Sequence, residues 1–371
     1  MPKYNFLILS GSHHGIRLED IALICCAVIL MFSRLTITKY QAIFFISLIF
    51  YTTTATMISV LRELPVFFIM LSRLFEYAVI FCLFSILFRS DHNRHRVAKL
   101  LSWYILGNAF VVGLQMYHVL PGFSSKGIGY LNSRYFGVAG GPWELGVSLS
   151  LAFILWRDCV EKKGINEIVL LMLVFGMLFL SSTRGNILGF ALALFFIYPR
   201  TMMLSTIAIV LTYSLFFDIS IVGFSGPIER INLTIQNAWT MVGLLSDHSS
   251  DLEAILGTDP AMGSRWHTWT YVWNVCQPLS SIWVFLFGSG WAGVLFTESL
   301  WLHIFLSFGF LGLLFFLGLS TMIGLPGFIF VLLSGITLDL SVSIRMMVLI
   351  IGLWCLRNIK IQAQQPQMEG M

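Results

Sequence analysis

A chain of 371 residues carries 22 Lys and Arg against 18 Asp and Glu, a net charge of +4. Only 11% of it is charged and 57% is aliphatic, aromatic, Met or Cys, against about 25% charged in an ordinary soluble domain. So few charges cannot coat soluble domains of this length, and apolar runs able to cross a bilayer recur throughout. The segment Asn5–Ser10 is too short for the apolar stretch of a cleavable signal, so the first span is the expected insertion signal. Candidate spans follow in chain order at 20–33, 40–61, 64–89, 97–120, 141–157, 165–182, 185–199 and 201–217. The seventh and eighth read as a hairpin turned at Pro199-Arg200. A hydrophilic stretch occupies 218–297, and three more spans follow at 298–320, 322–338 and 343–358. The expected fold is an all-α integral membrane protein of about eleven transmembrane helices. It divides into helices over 1–217, a large loop with interfacial helices over 218–297, and returning helices with a tail over 298–371. The polar tail after Lys360 is expected to be disordered.

Basic residues fix the orientation, because short cytoplasmic loops collect Lys and Arg. One set of alternate loops holds Arg34, Lys39, Arg89, Arg94, Arg96, Lys99, Arg157, Lys162, Lys163, Arg200, Arg357 and Lys360. The other holds Arg62, Lys126, Arg134, Arg184, Arg230, Arg265 and Arg345, mostly in long loops. The richer side is expected to be cytoplasmic. The loops at 121–140 and 218–297, with the N-terminus, then face out, and the C-terminus faces in.

Few groups carry chemistry. Arg73 and Glu76 lie three apart in the third span and share a helix face, as a functional site or a structural ion pair. Ser181-Ser182-Thr183-Arg184-Gly185-Asn186 falls between two spans on the outer side. Arg184 there is either a ligand contact beside small residues or a headgroup contact next to a Gly185-x-x-x-Gly189 packing motif. In Asn132–Gly146, Gly140-Gly141-Pro142 marks a turn before a helix, with Glu144 in the first turn as a dipole-stabilising acid or a reactive one and Arg134 upstream. Trp266, Trp269 and Trp273 form one stripe after Arg265, which reads as an interfacial helix holding that arginine at headgroup depth. The six cysteines show no metal or disulfide spacing and read as core residues, and His92-x-x-His95 reads as solvated. Nothing in the sequence points to a nucleic-acid partner.

The order of these segments resembles the O-antigen polymerase and ligase superfamily of bacterial membrane glycosyltransferases. Four segments carry the likeness: Arg134 to Gly146; Ser182-Thr183-Arg184-Gly185; Gly263-Ser264-Arg265 to Trp269 with Pro278 and Gly288-Ser289-Gly290; and Glu298 to Gly312. They cover about a quarter of the chain. The ligase branch opens its returning span with a functional His eleven residues before a Gly. Glu298 stands at that position relative to Gly309, and His303 falls where ligases carry Gln. This departure favours polymerase over ligase. The spacing from Arg134 to Gly146 is one residue longer than in some polymerases.

The resemblance implies a GT-C-like, inner-membrane enzyme that joins undecaprenyl-pyrophosphate-linked repeat units at the periplasmic face. Arg184, Arg265 and Arg134 would hold the pyrophosphate, and Glu298, then Glu144, would serve as base. No metal or other cofactor is expected, since arginines would neutralise the leaving group. Membrane lipids, and a flippase and chain-length regulator of the same pathway, are the expected partners. A ligase acting on lipid A-core, or a transporter with a polar central pathway, is the alternative.

Overall fold

The computed structural model describes residues 5–8, 15–17, 24–28, 30, 39–63, 68–121, 135–160, 164–181, 183–199, 260–289, 299–338, 340 and 344–368. The fold is all-α apart from a short hairpin, β1 (Asn5–Ile8) with β2 (Gly15–Arg17), paired antiparallel with Asn5 opposite Arg17. The helices are α1 (Lys39–Leu61), α2 (Phe68–Leu87), α3 (Asp91–Met116), α4 (Pro142–Cys159), α5 (Ile165–Ser181) and α6 (Arg184–Ile197). They continue with α7 (Pro260–Cys276), α8 (Ile282–Phe287), α9 (Leu300–Thr321), α10 (Leu325–Thr337) and α11 (Ile344–Met368). Among the described residues α3 and α9 are long and apolar enough to cross a membrane, and shorter apolar segments lie in α1, α2, α5, α6, α10 and α11.

Two expected boundaries move. The span expected at 97–120 begins as a helix at Asp91, because the polar stretch Asp91-His-Asn-Arg-His-Arg still supports helical turns behind a Ser90 N-cap position. The tail expected to be disordered continues α11 to Met368; its Gln and Ala residues are good helix formers, so polarity ends the apolar segment without ending the helix. The candidate span at 201–217, and most of the loop from 218, lie outside the described residues.

The centre of the bundle is α4. It packs on α3, α5, α6, α10 and α11, and every residue from Glu144 to Trp156 is buried. Phe153 meets Phe190 of α6 edge-on at 5.8 Å, and α11 locks onto α2 through Phe81 and Trp354 at 4.6 Å. Aromatic contacts of this kind add to the large area each ring buries.

Polar contacts gather the helix ends into two sets. At one end Arg357 makes a forked contact with Asp158, at 2.8 and 3.0 Å, and Arg157 pairs with Glu167, which accepts from the Tyr198 hydroxyl. Arg94 donates to the carbonyl of Phe88 there. At the other end the Tyr135 amide donates to Leu180, Leu300 to Leu338, and Arg62 to the Cys276 carbonyl. The basic residues Arg89, Arg94, Arg96, Lys99, Arg157 and Arg357 all belong to the first set of ends.

Candidate functional site

At the second end, the start of α4 is built by a polar turn inside an apolar bundle. Pro142 occupies the first helical turn, where its missing N–H costs nothing. Glu144, fully buried, reaches back so that its Oε2 accepts the Gly140 N–H at 2.7 Å. This resembles a capping box, with the carboxylate set at the positive helix end. Two amides from α3 satisfy the preceding turn. Gln115 Oε1 accepts from Gly137 N at 3.0 Å while its Nε2 donates to Gly137 O at 3.0 Å, and Asn108 Oδ1 accepts from Val138 N at 3.2 Å. Gly137 sits at φ 55°, in the left-handed region, and a Cβ there would lie 2.5 Å from Asn108 Oδ1. Sequence reasoning missed Asn108 and Gln115. The available signal was two amides seven apart on one face of the apolar part of α3.

The start of α6 is pinned to that turn. Asn186 Nδ2 donates to the Trp143 carbonyl at 3.1 Å, and Thr183 Oγ1 lies 2.9 Å from Ser181 Oγ. A Cβ at Gly146 would stand 2.5 Å from Asn186 Nδ2 and 2.7 Å from Thr183 Oγ1, so only glycine permits this approach of α4 to the α6 start. Asn186 Oδ1 is buried with no partner among the described residues. An unsatisfied acceptor at such depth costs about 1–3 kcal/mol. Arg184 is the first residue of α6, while its side chain, like Arg134, lies outside the described residues.

The other two segments meet each other on α9. Val272 and Cys276 of α7 pack on Leu306, and Trp273 stacks on Phe305 at 6.0 Å. The amide and hydroxyl of Ser289 both donate to the Leu306 carbonyl, at 2.9 and 2.8 Å. That carbonyl is available because α9 breaks at Gly309, with φ 71° and ψ −171°. Gly288, at φ 88°, crosses this break so closely that a Cβ would lie 2.3 Å from the Ser307 carbonyl oxygen. Arg265 is half-buried on α7. Of the tryptophan stripe, Trp266 and Trp273 are exposed and Trp269 is half-buried.

Glu298 lies outside the described residues, but the helix it precedes is described. The N-cap of α9 is Ser299, whose Oγ accepts from Leu302 N and donates to the Gly335 carbonyl at 3.2 Å. His303 is buried one turn further on.

Between the two pairs of segments stands α10. On one side Phe330 and Ser334 face Gly189 of α6. On the other, Gly335 abuts Trp301 of α9, whose Nε1 donates to the Leu332 carbonyl. Of the sequence-predicted residues, the starts of the helices bearing Arg184 and Glu144 are thus in direct contact. The element bearing Arg265 contacts the helix that follows Glu298. The Arg73 side chain lies outside the described residues, and Glu76 is half-buried. Cys159, Cys276 and Cys355 are buried as expected of core residues, Cys26 and Cys82 are half-buried, and Cys25 is exposed. A cavity of about 930 Å³ lies at the opposite end of the bundle, between α3, α4 and α5, and none of the predicted site residues lines it. No family model, curated protein or solved structure matches the chain.

Proposed function

We propose that the protein is a membrane glycosyltransferase of the polysaccharide-polymerase type. About eleven helices cross the bacterial inner membrane, with the second set of helix ends and the 218–297 loop periplasmic. The observation that carries this reading is the pairing of the four segments that resemble the polymerase and ligase superfamily. The Arg134–Gly146 segment contacts the Ser182–Gly185 segment across the whole of α5, Gly146 lying against Thr183. The α7–α8 segment contacts α9, and α10 packs against both pairs.

In this reading a sugar hydroxyl of one lipid-linked repeat unit attacks the anomeric carbon of a growing chain on its undecaprenyl carrier. The new glycosidic bond forms as the bond to pyrophosphate breaks, and the hydroxyl proton passes to Glu298. Charge accumulates on the departing pyrophosphate, to which Arg184 and Arg265, with Arg134 as a third, would offer planar two-pronged donors. Glu144 is the second choice of base; its Oε2 already holds the Gly140 amide, which favours Glu298.

The test is polymer formation in cells supplying lipid-linked repeat units. Arg184→Ala and Arg265→Ala leave single units unpolymerised while the protein inserts normally, and the Lys variants stay poor because an ammonium cannot grip phosphate in two places. Normal polymer from both alanine variants removes the arginines from the site and the reading with them.

A further inference from the structure

The cavity between α3, α4 and α5 has a graded lining. One stripe of α3 runs along it, from His95 and Lys99 to Ser102 and Leu106, with Arg94 and Trp103 beside it. These residues recur every three or four positions, so they share a helix face. The same gradient recurs on the facing helix, where Asn166 gives way to Val169 and Leu170. On α4, Asp158 marks the polar end and Trp156 the apolar one. Polar groups therefore cluster at the basic end of the bundle and apolar ones toward its middle. The change falls between Lys99 and Leu100, where α3, itself long and apolar enough to cross a membrane, turns from charged to apolar.

The charges are not balanced. Arg94 pairs with Asp91 at 2.7 Å, and Asp158 is taken by Arg357. Lys99 has no ion-pair partner among the described residues, so the polar end keeps a cation in excess. Leu100, Trp103, Ile165 and Ile168 are all exposed, at 61–78%, on two of the helices that enclose the cavity.

We propose that this cavity binds an anionic phospholipid of the basic-side leaflet, its phosphate at Lys99 with His95 beside it, and an acyl chain running past Trp103, Leu106 and Val169. The chemistry is complementary at both ends. A basic pocket between helices at the headgroup level attracts phosphate, and the apolar lining beyond it, Trp103, Leu106 and Val169, suits an acyl chain. The proposal needs α3 to cross the membrane and is independent of the transferase reading.

The full chain, purified and placed in nanodiscs of phosphatidylcholine with phosphatidylglycerol, tests it by the phosphatidylglycerol retained per protein after transfer to detergent. A juxtamembrane cation is worth about fivefold in lipid binding. Lys99→Gln should lose about that factor and Lys99→Glu about tenfold or more, while Lys99→Arg stays near the parent. Val169→Phe, which narrows the apolar slot, should lower retention with every charge in place. Circular dichroism and thermal unfolding in pure phosphatidylcholine confirm that the variants are folded; Lys99 is exposed, so its replacement leaves the bundle intact. Equal retention by the parent and a folded Lys99→Glu overturns the proposal. Displacement of bound lipid by inorganic phosphate, with no preference for phosphatidylglycerol over phosphatidylcholine, assigns the site to a soluble phosphate and overturns it as well.

Discussion

Replacing Gly146 by Ala adds one carbon where α4 and the start of α6 leave no room. The added atom would lie 2.5 Å from Asn186 Nδ2, 2.7 Å from Thr183 Oγ1 and 3.2 Å from Asn186 Cβ. Neither neighbour yields freely: Asn186 is fully buried and bonded to the Trp143 carbonyl, and Thr183 is buried against Ser181. Overpacking of this kind costs about 1–3 kcal/mol. Displacing Asn186 forfeits its hydrogen bond for about 1 kcal/mol more, against a gain of about 0.5–1 kcal/mol from replacing a helical glycine. The net loss is about 1–3 kcal/mol. Thermal unfolding in detergent should register it as a lowered midpoint, and under the proposed transferase function polymer output should fall with it, because the start of α6 carries Arg184. Gly176→Ala in α5, where nothing lies within 4 Å, is the control and should be neutral or mildly stabilising. Adding Asn186→Ala to Gly146→Ala should recover part of the midpoint, since it removes the nearer clash. A Gly146→Ala protein as stable as the parent, with full polymer output, would refute the close approach of the two helices.

Under the proposed function, Glu298→Gln should insert normally and lose about 10²–10⁴-fold in rate, the loss that follows removal of a general base. Ser299→Ala should cost about 1 kcal/mol of stability with little change in rate, because Ser299 is the cap of α9; the opposite pattern would exchange their roles. Asp158→Ala leaves Arg357 unpaired. As Arg357 is one-third exposed and Asp158 nearly buried, the loss should fall between the about 1 kcal/mol of an exposed pair and the about 3–5 kcal/mol of a buried one. The exchange Asp158→Arg with Arg357→Asp should restore part of the lost midpoint. A reporter fused at residue 250 should signal the periplasm and one at 95 the cytoplasm; a cytoplasmic 250 would put Arg265 in the wrong compartment and sink the transferase mechanism.

Helix positions were largely legible in the sequence, because apolar runs and Gly-Pro turns punctuate them strongly. The turn at Gly140-Gly141-Pro142 precedes α4 as expected, and Arg184 opens α6 at the predicted break. Which helix forms the centre was not legible. When nearly every face is apolar, periodicity no longer separates buried from outward sides, and α4 is distinguished only by its neighbours. The role of Glu144 was half visible: its place in the first turn suggested dipole stabilisation, whereas its bond to Gly140 depends on the chain doubling back. The cap of α9 was not legible because Glu298 and Ser299 are adjacent and either can stand at a helix start; the backbone decides for Ser299. The N-terminal hairpin escaped notice because each strand is only three or four residues long.

The crossing of Gly288 over Gly309 has a mechanical consequence. Backbone rests on backbone there, with no side chain between to absorb a displacement by changing rotamer, and tight interiors pass strain on. A pull on α8 is handed directly to Ser307 and Phe308. Gly309, where α9 leaves helical geometry, is the fulcrum about which the first half of that helix can tilt against the second. Whatever seats on the large loop therefore has a lever on the stretch of chain that begins just after Glu298.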